Sequence, residues 1–248
     1  MIFSPVQIGK LKISNRIAVA PMCQYSAVDG VMTDWHIQHL MQLGYSAAGL
    51  IMVEATAVER IGRITHNCVG IYNDFCEASI KKTLDLARSV APIDTSFGIQ
   101  LAHAGRKAST QRPWEGRKSL TEEEDPWITR SASPAPFDIG WHVPQTLSET
   151  DMKKIKNKFV EAAIRSVKIG FDLIEVHGTH GYLFHQFLSQ QIGNLILGKS
   201  EMDIAKFIIG SIDESGYLRR SNDELTDDLA FTQNIVVESN QIEKIIKL

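Results

Sequence analysis

With 248 residues, the chain is long enough for one large α/β domain or two smaller ones. Its composition, 44% hydrophobic and 22% charged with a formal net charge of −3, is that of a globular protein in water and carries no basic footprint for direct nucleic-acid binding. No apolar run reaches the roughly eighteen residues of a membrane span. Residues 1–6 lack the basic region and apolar core of a signal peptide. The cysteines, Cys23, Cys68 and Cys76, show no Cys-x-x-Cys spacing. That argues against a disulfide framework, a metal site or an iron–sulfur cluster and fits a cytoplasmic location.

In chain order, residues 2–15 alternate around Gly9-Lys10 and predict a hairpin. Residues 16–20 read as a first buried strand, running into Pro21-Met-Cys-Gln-Tyr-Ser26. A helix is predicted over 33–47, capped by Thr33 or Asp34, and a second strand over 49–55. Asn73 or Asp74 caps a second helix that runs to about Val90, and residues 96–102 form a third strand. The segment 108–147 is rich in Pro, Ser and Trp. A loop of this length is a functional flap or a disordered insert. Its apolar members Trp114, Trp127, Phe137 and Trp141 argue against disorder. Ser148 caps a helix over 152–169, Gly170 ends it, and residues 171–176 form a fourth strand.

Just past that strand stand His177, His180 and Tyr182. Parallel α/β proteins keep their chemistry at strand carboxyl ends, where side chains converge. Two imidazoles can hold a substrate oxygen and a phenol can deliver a proton. A hairpin and four βα units predict an α/β fold with a parallel sheet and right-handed crossovers. The four strand ends then present Cys23 and Tyr25, Ala55, Gln100, and the His177, His180, Tyr182 set. Taken singly, Cys23 reads as a small buried residue, Gln100 as a strand-end group satisfying backbone, and Tyr25 as core. Arg106 and Lys107 read either as a solvated turn or as groups reaching toward the site.

The motifs Asn15-Arg-Ile, Ala20-Pro-Met-Cys-Gln-Tyr-Ser26, Val53-Glu-Ala-Thr-Ala-Val58, Gly62-Arg-Ile-Thr65, Gly98-Ile-Gln-Leu-Ala-His-Ala-Gly-Arg-Lys107 and Glu175-Val-His-Gly-Thr-His-Gly-Tyr-Leu183 occur in this order. With them, residues 2 to about 190 resemble the old yellow enzyme family of flavin-dependent ene-reductases, in the bacterial branch that includes the xenobiotic reductases. The resemblance implies a (β/α)8 TIM barrel, here cut to about four βα units. It also implies FMN as cofactor, NADPH or NADH as reductant, and reduction of the activated C=C bond of a small α,β-unsaturated carbonyl compound, an activity that loss of the C-terminal half barrel impairs, the alternative being an inactive fusion or remnant whose helical tail binds RNA polymerase. Pro21 and Met22 would line the flavin, Cys23 would tune it, and Ala55 and Gln100 would contact its ring. His177 and His180 would hold the substrate carbonyl, Tyr182 would donate the proton, and Tyr25 would close the pocket. No metal is implied.

After Ser189 the sequence leaves that pattern, and the later strands that would supply an Arg and the phosphate cup have no counterpart in 190–248. The tail around Ile204–Phe231 resembles part of the core-binding region of the nitrogen-type alternative sigma factor, which implies RNA polymerase core as a partner. It reads as helices over 202–212, 222–230 and 240–246 with a turn at 213–216, and Leu218, Leu225, Leu229, Ile242 and Ile245 form a small core. The organisation expected is a half barrel over 1–190, a junction at 191–200 and a helical segment over 201–248. A natural fusion, a genomic rearrangement and an assembly error would each produce such a join. Four parallel strands leave two open edges, so the chain is expected to aggregate, to form a homodimer through those edges, or to stay partly molten.

Overall fold

The structure, a computed structural model, describes residues 1–193, 197–212 and 218–247. It divides into two compact units, Met1–Val176 and His177–Leu248.

In the first unit, β1 (Val6–Ile8) and β2 (Leu11–Ile13) form the predicted hairpin, turning at Gly9 with φ +56°. Ile13 is buried against Leu50 and Met52, so the hairpin closes the amino end of the sheet. Asn15 locks it there. Its Oδ1 accepts from Ile17 N and Gly49 N, and its Nδ2 donates to Ala47 O. Any side chain at Gly49 would run into Ile13 and the Asn15 backbone.

The main sheet is parallel, in the order β3 (Ala18–Val19), β4 (Leu50–Ala57), β5 (Ser96–Ala102), β8 (Leu173–Val176). β4 and β5 are buried along their whole lengths, as apolar central strands of a parallel sheet are. The expected first strand is reduced to two paired residues, and the second extends two residues further than expected, to Ala57. The connections run through α1 (Asp34–Gly44), α2 (Asp74–Val90) and α3 (Glu149–Ile169). The predicted caps are in place. Asn73 Oδ1 accepts from Cys76 N, Ser148 Oγ accepts from Asp151 N, and α3 ends at Gly170 with φ +102°. Ile80, Leu84 and Ala87 give α2 its buried stripe. Glu77 of α2 is bound by Lys168 at 2.5 Å and by Arg165, which tie α2 to α3.

The segment 103–148 is an ordered strap. It contains single 3-10 turns at Gly105–Lys107, Pro113–Glu115 and Glu122–Glu124, and the short pair β6 (Arg130–Ser131) and β7 (Gln145–Thr146). Its first half is sewn to the loop after β4. Thr110 N donates to Ile64 O, Trp127 Nε1 donates to Ile61 O, and His66 Nε2 lies 2.9 Å from Glu124 O. Arg106 reaches toward Ala135 O and Pro136 O, and Lys107 Nζ stands 4.3 Å from the Phe137 ring centroid. These two cations therefore hold the strap.

The second unit holds α4 (Leu183–Gly193), α5 (Lys199–Gly210), α6 (Asn222–Gln233) and α7 (Ser239–Ile246). The last three match the expected tail helices, and the predicted turn at 213–216 lies outside the described residues. Leu225, Leu229, Ile242 and Ile245 are buried together as predicted, joined by Ile204, Ala205, Ile208 and Val237, with Leu218 partly buried against them. The helix α4 is an addition to the expected elements. The compact units part between Val176 and His177, whereas the sequence pattern changes over 191–200. Among the described residues no helix is long and apolar enough to cross a membrane.

Candidate active site

One row of the parallel ladder, Ala55↔Gln100↔Glu175, crosses three strands near their carboxyl ends. Paired residues of neighbouring strands share a face, so these three side chains stand together. Gln100 Nε2 donates to Glu175 Oε1 at 2.6 Å. A carboxylate partner accepts only, which makes the facing atom of Gln100 its amide nitrogen and leaves the carbonyl Oε1 for another donor. Ala55 adds only a methyl group beside it. Glu175 is thus the orienter of Gln100. Its role depends on a register between residues 75 apart in sequence, and no local signal marks it.

The row is aligned by a β-bulge. The ladder pairs Val53 with Ile99 and then Ala55 with Gln100, so Glu54 is the additional residue. Glu54 is buried, its Oε2 accepts from Gln24 N at 3.2 Å, and its Oε1 lies 3.4 Å from His36 Nε2. His36 Nδ1 accepts from Thr33 N, so the neutral ring carries its proton on Nε2, facing the carboxylate.

Pro21, Met22, Cys23 and Tyr25 follow β3 on the segment that Glu54 holds. Met22 is exposed, and Tyr25 has φ +50° and meets Trp114 edge to face at 5.8 Å between centroids. Desolvation pushes the Cys23 thiol well above its ordinary range, and Cys68 and the Glu54 carboxylate push the same way. Cys23 in this state is a neutral S–H group. Tyr25 is raised by desolvation as well and stays a phenol.

In the second unit, His177, His180 and Tyr182 are brought together. Ring centroids are 5.0 Å apart for His177 and His180, 4.9 Å for His177 and Tyr182, and 6.5 Å for His180 and Tyr182. His180 with φ +55° and Gly181 with φ +71° make the turn that folds the rings onto one another. His180 Nδ1 lies 3.3 Å from His177 Nε2, and Thr179 Oγ1 lies 3.4 Å from His177 Nδ1. Desolvation, with a smaller contribution from His180, lowers His177 to about 4. The three rings therefore lie close together, and His177 is in the neutral state that a hydrogen-bonding imidazole needs.

A titration follows from that shift. Folded His177 takes up its proton near pH 4, whereas the unfolded chain does so near pH ~6.5. Between these values the unfolded state binds more protons, so stability falls as pH drops from about 6.5 to 4. The expected NMR titration of the His177 ring has its midpoint near 4, and His180→Ala moves it upward while leaving it below that of a free imidazole. A midpoint near 6.5 in the native chain would contradict the burial argument.

A flavin ring system needs a flat apolar floor, an amide at its polar edge and a weakly acidic group near its reactive nitrogen. Ala55, Pro21 and Met22, then the Gln100 amide oriented by Glu175, then the neutral Cys23 thiol match that donor set. Among the described residues no group of three or more His, Cys, Asp or Glu side chains forms a metal site.

Comparison with known proteins adds a consistent set. A family model described as the NADH:flavin oxidoreductase / NADH oxidase family matches residues 1–195, and one described as the Sigma-54 factor, core binding domain, matches residues 174–248. An NADH:flavin oxidoreductase of Gibberella zeae is 42% identical over 192 residues, covering 76% of this chain and 46% of its own. An NADPH dehydrogenase of Bacillus cytotoxicus is 39% identical over 190 residues, covering 76% of this chain and 50% of its own. The chain thus spans about half the length of the curated relatives it matches. Among solved structures, morphinone reductase superposes with a TM-score of 0.63 at 24% identity over 85% of this chain and 58% of that one. An old yellow enzyme from Pichia gives 0.65 at 24% identity over 87% and 57%. At that identity the likeness is one of fold, the α/β barrel architecture expected from the sequence.

Proposed function

The chain belongs to the NADH:flavin oxidoreductase / NADH oxidase family, and on that premise we propose that it carries the flavin-facing and proton-donating part of an FMN-dependent NAD(P)H oxidoreductase acting on α,β-unsaturated carbonyl compounds. The observation that carries the proposal is the three-ring cluster His177, His180, Tyr182, with His177 held neutral.

FMN, when bound, supplies hydride transfer from a nicotinamide to the β-carbon of the substrate. The protein residues do the rest. Pro21, Met22 and Ala55 line the ring, and Gln100, oriented by Glu175, meets its polar edge. Cys23 presents a neutral thiol to the ring. With the substrate carbonyl taking the place of the contact between the two rings, His177 and His180 would donate hydrogen bonds to its oxygen, which takes on charge as the enolate develops, and so act as an oxyanion site. Tyr182 delivers a proton to the α-carbon. Tyr25, seated on Trp114, bounds the substrate space. The test is a visible spectrum of the 248-residue chain after incubation with excess FMN and removal of free flavin. A retained, shifted flavin band supports the reading, and a colourless protein removes it.

The match over residues 174–248 and the buried cluster of α5, α6 and α7 support a second reading, in which the tail docks on RNA polymerase core. Failure of the chain to be retained by immobilised core polymerase would exclude it.

A further inference from the structure

We infer that Glu54 is a positioning residue, whose carboxylate fixes the conformation of Pro21–Tyr25, the segment assigned above to the flavin and substrate; the inference rests on that assignment for its functional meaning. The segment turns sharply, with the non-glycine residue Tyr25 at φ +50°. Such a conformation costs of order 1 kcal/mol and persists where surrounding contacts over-determine it.

The contacts radiate from Gln24. Its backbone N–H donates to Glu54 Oε2 at 3.2 Å, its side-chain Nε2 donates to Met22 O at 2.8 Å, and its Oε1 accepts from Trp35 Nε1 at 3.2 Å. Ser26 Oγ donates to Gln24 O, and Thr33 Oγ1 donates to Ser26 O. The bond to Glu54 joins the backbone of this turn to the sheet, and the Cys23 thiol adds a contact to the Ala55 backbone. The bulge is what aims Glu54 away from the Ala55–Gln100–Glu175 row and toward Gln24 and α1. His36 stands behind the carboxylate with its N–H facing it at 3.4 Å. His39, Cys23, Tyr25 and Cys68 also feel the Glu54 charge. One buried carboxylate therefore does two things for one segment. It pins the backbone between Cys23 and Tyr25, and its charge disfavours the Cys23 thiolate.

The two effects separate in two variants of the 248-residue chain, measured without flavin. Glu54→Gln keeps an oxygen that can accept from Gln24 N and removes the charge. Glu54→Ala removes both. In Glu54→Ala the Gln24 amide is expected to exchange with deuterium about tenfold faster than in the native chain. In Glu54→Gln it is expected to keep its protection, while Cys23 is alkylated by iodoacetamide about threefold faster at pH 8, because the thiolate is no longer disfavoured. Exchange at Gln24 within twofold of native in a folded Glu54→Ala chain overturns the inference. If Glu54→Ala does not fold, Glu54→Leu, which fills the volume and offers no acceptor, decides by the same exchange measurement, and protection of the Gln24 amide within twofold of native overturns the inference. A chain that fails to retain FMN removes the flavin assignment without touching these readouts.

Discussion

Replacing Tyr182 by Phe is expected to slow enone reduction by about 10²–10⁴-fold, the usual contribution of a positioned general acid. Flavin retention and NADPH oxidation with dioxygen as acceptor are expected to be unchanged. The substitution removes one oxygen and keeps the ring that packs edge to face on His177 at 4.9 Å. His177→Ala and His180→Ala act on a different term. They remove hydrogen-bond donors to the carbonyl oxygen, worth about 10²–10³-fold each at an oxyanion site, and they weaken substrate binding as well. The diagnostic pattern is a lower kcat with near-native KM for Tyr182→Phe, and a raised KM for the histidine variants. Cyclohexenone reduction at near-native rate by Tyr182→Phe would show that the proton comes from elsewhere.

The second large effect is structural. Arg63 is among the largest fully buried side chains of the protein, in a stretch that also holds Ile61 and Ile64. Its Nη1 reaches Asp29 Oδ1 at 2.9 Å and His66 O at 3.2 Å, its Nε donates to Arg60 O at 2.9 Å, and its guanidinium lies 5.5 Å from the Trp127 ring centroid. Breaking such a set costs ~3–5 kcal/mol in buried ion pairs. Asp29 is half exposed and keeps Arg60, so the expected cost of Arg63→Ala is near the lower end, about 3 kcal/mol. Denaturant unfolding of the first unit measures it. Cleavage within 103–148 by a trace of protease is expected to accelerate in parallel, because Trp127, which packs on the Arg63 guanidinium, is one of the attachments of the strap. Arg63→Lys is not expected to rescue, since an ammonium cannot supply the forked donors. A loss below ~1 kcal/mol would mean that the strap is held mainly by its backbone bonds.

How much of this was legible follows from where each signal lies. Ser148 with Asp151, Asn73 and Gly170 declare their helix ends locally, and each end lies where its cap stands. The His177, His180, Tyr182 spacing also predicted a cluster, because a tight turn after a strand can fold those three rings together. The bulge at Glu54 left no trace. Leu50–Ala57 is buried on every residue, so there is no alternation for an extra residue to interrupt. Gln100 with Glu175, and Arg63 with Trp127, are partners set by register and by loop closure, which a single sequence does not encode nearby. The helix α4 did carry a signal, with Leu183, Phe187 and Leu188 at helical spacing. It was absorbed into the motif that precedes it.

The added residue in β4 also governs which changes of chain length the strand can absorb. Alternation makes a strand a parity counter, and one residue gained or lost elsewhere between Leu50 and Ala57 would exchange the inward and outward sets beyond that point. Position 54 lies outside the count. Without it, Val53 would still face Ile99 and Ala55 would still face Gln100, in an unbroken ladder. A deletion scan along β4 is therefore expected to yield a folded sheet at 54 and to fail at its neighbours. In this strand, the residue most dispensable to the ladder is the one that carries the tether.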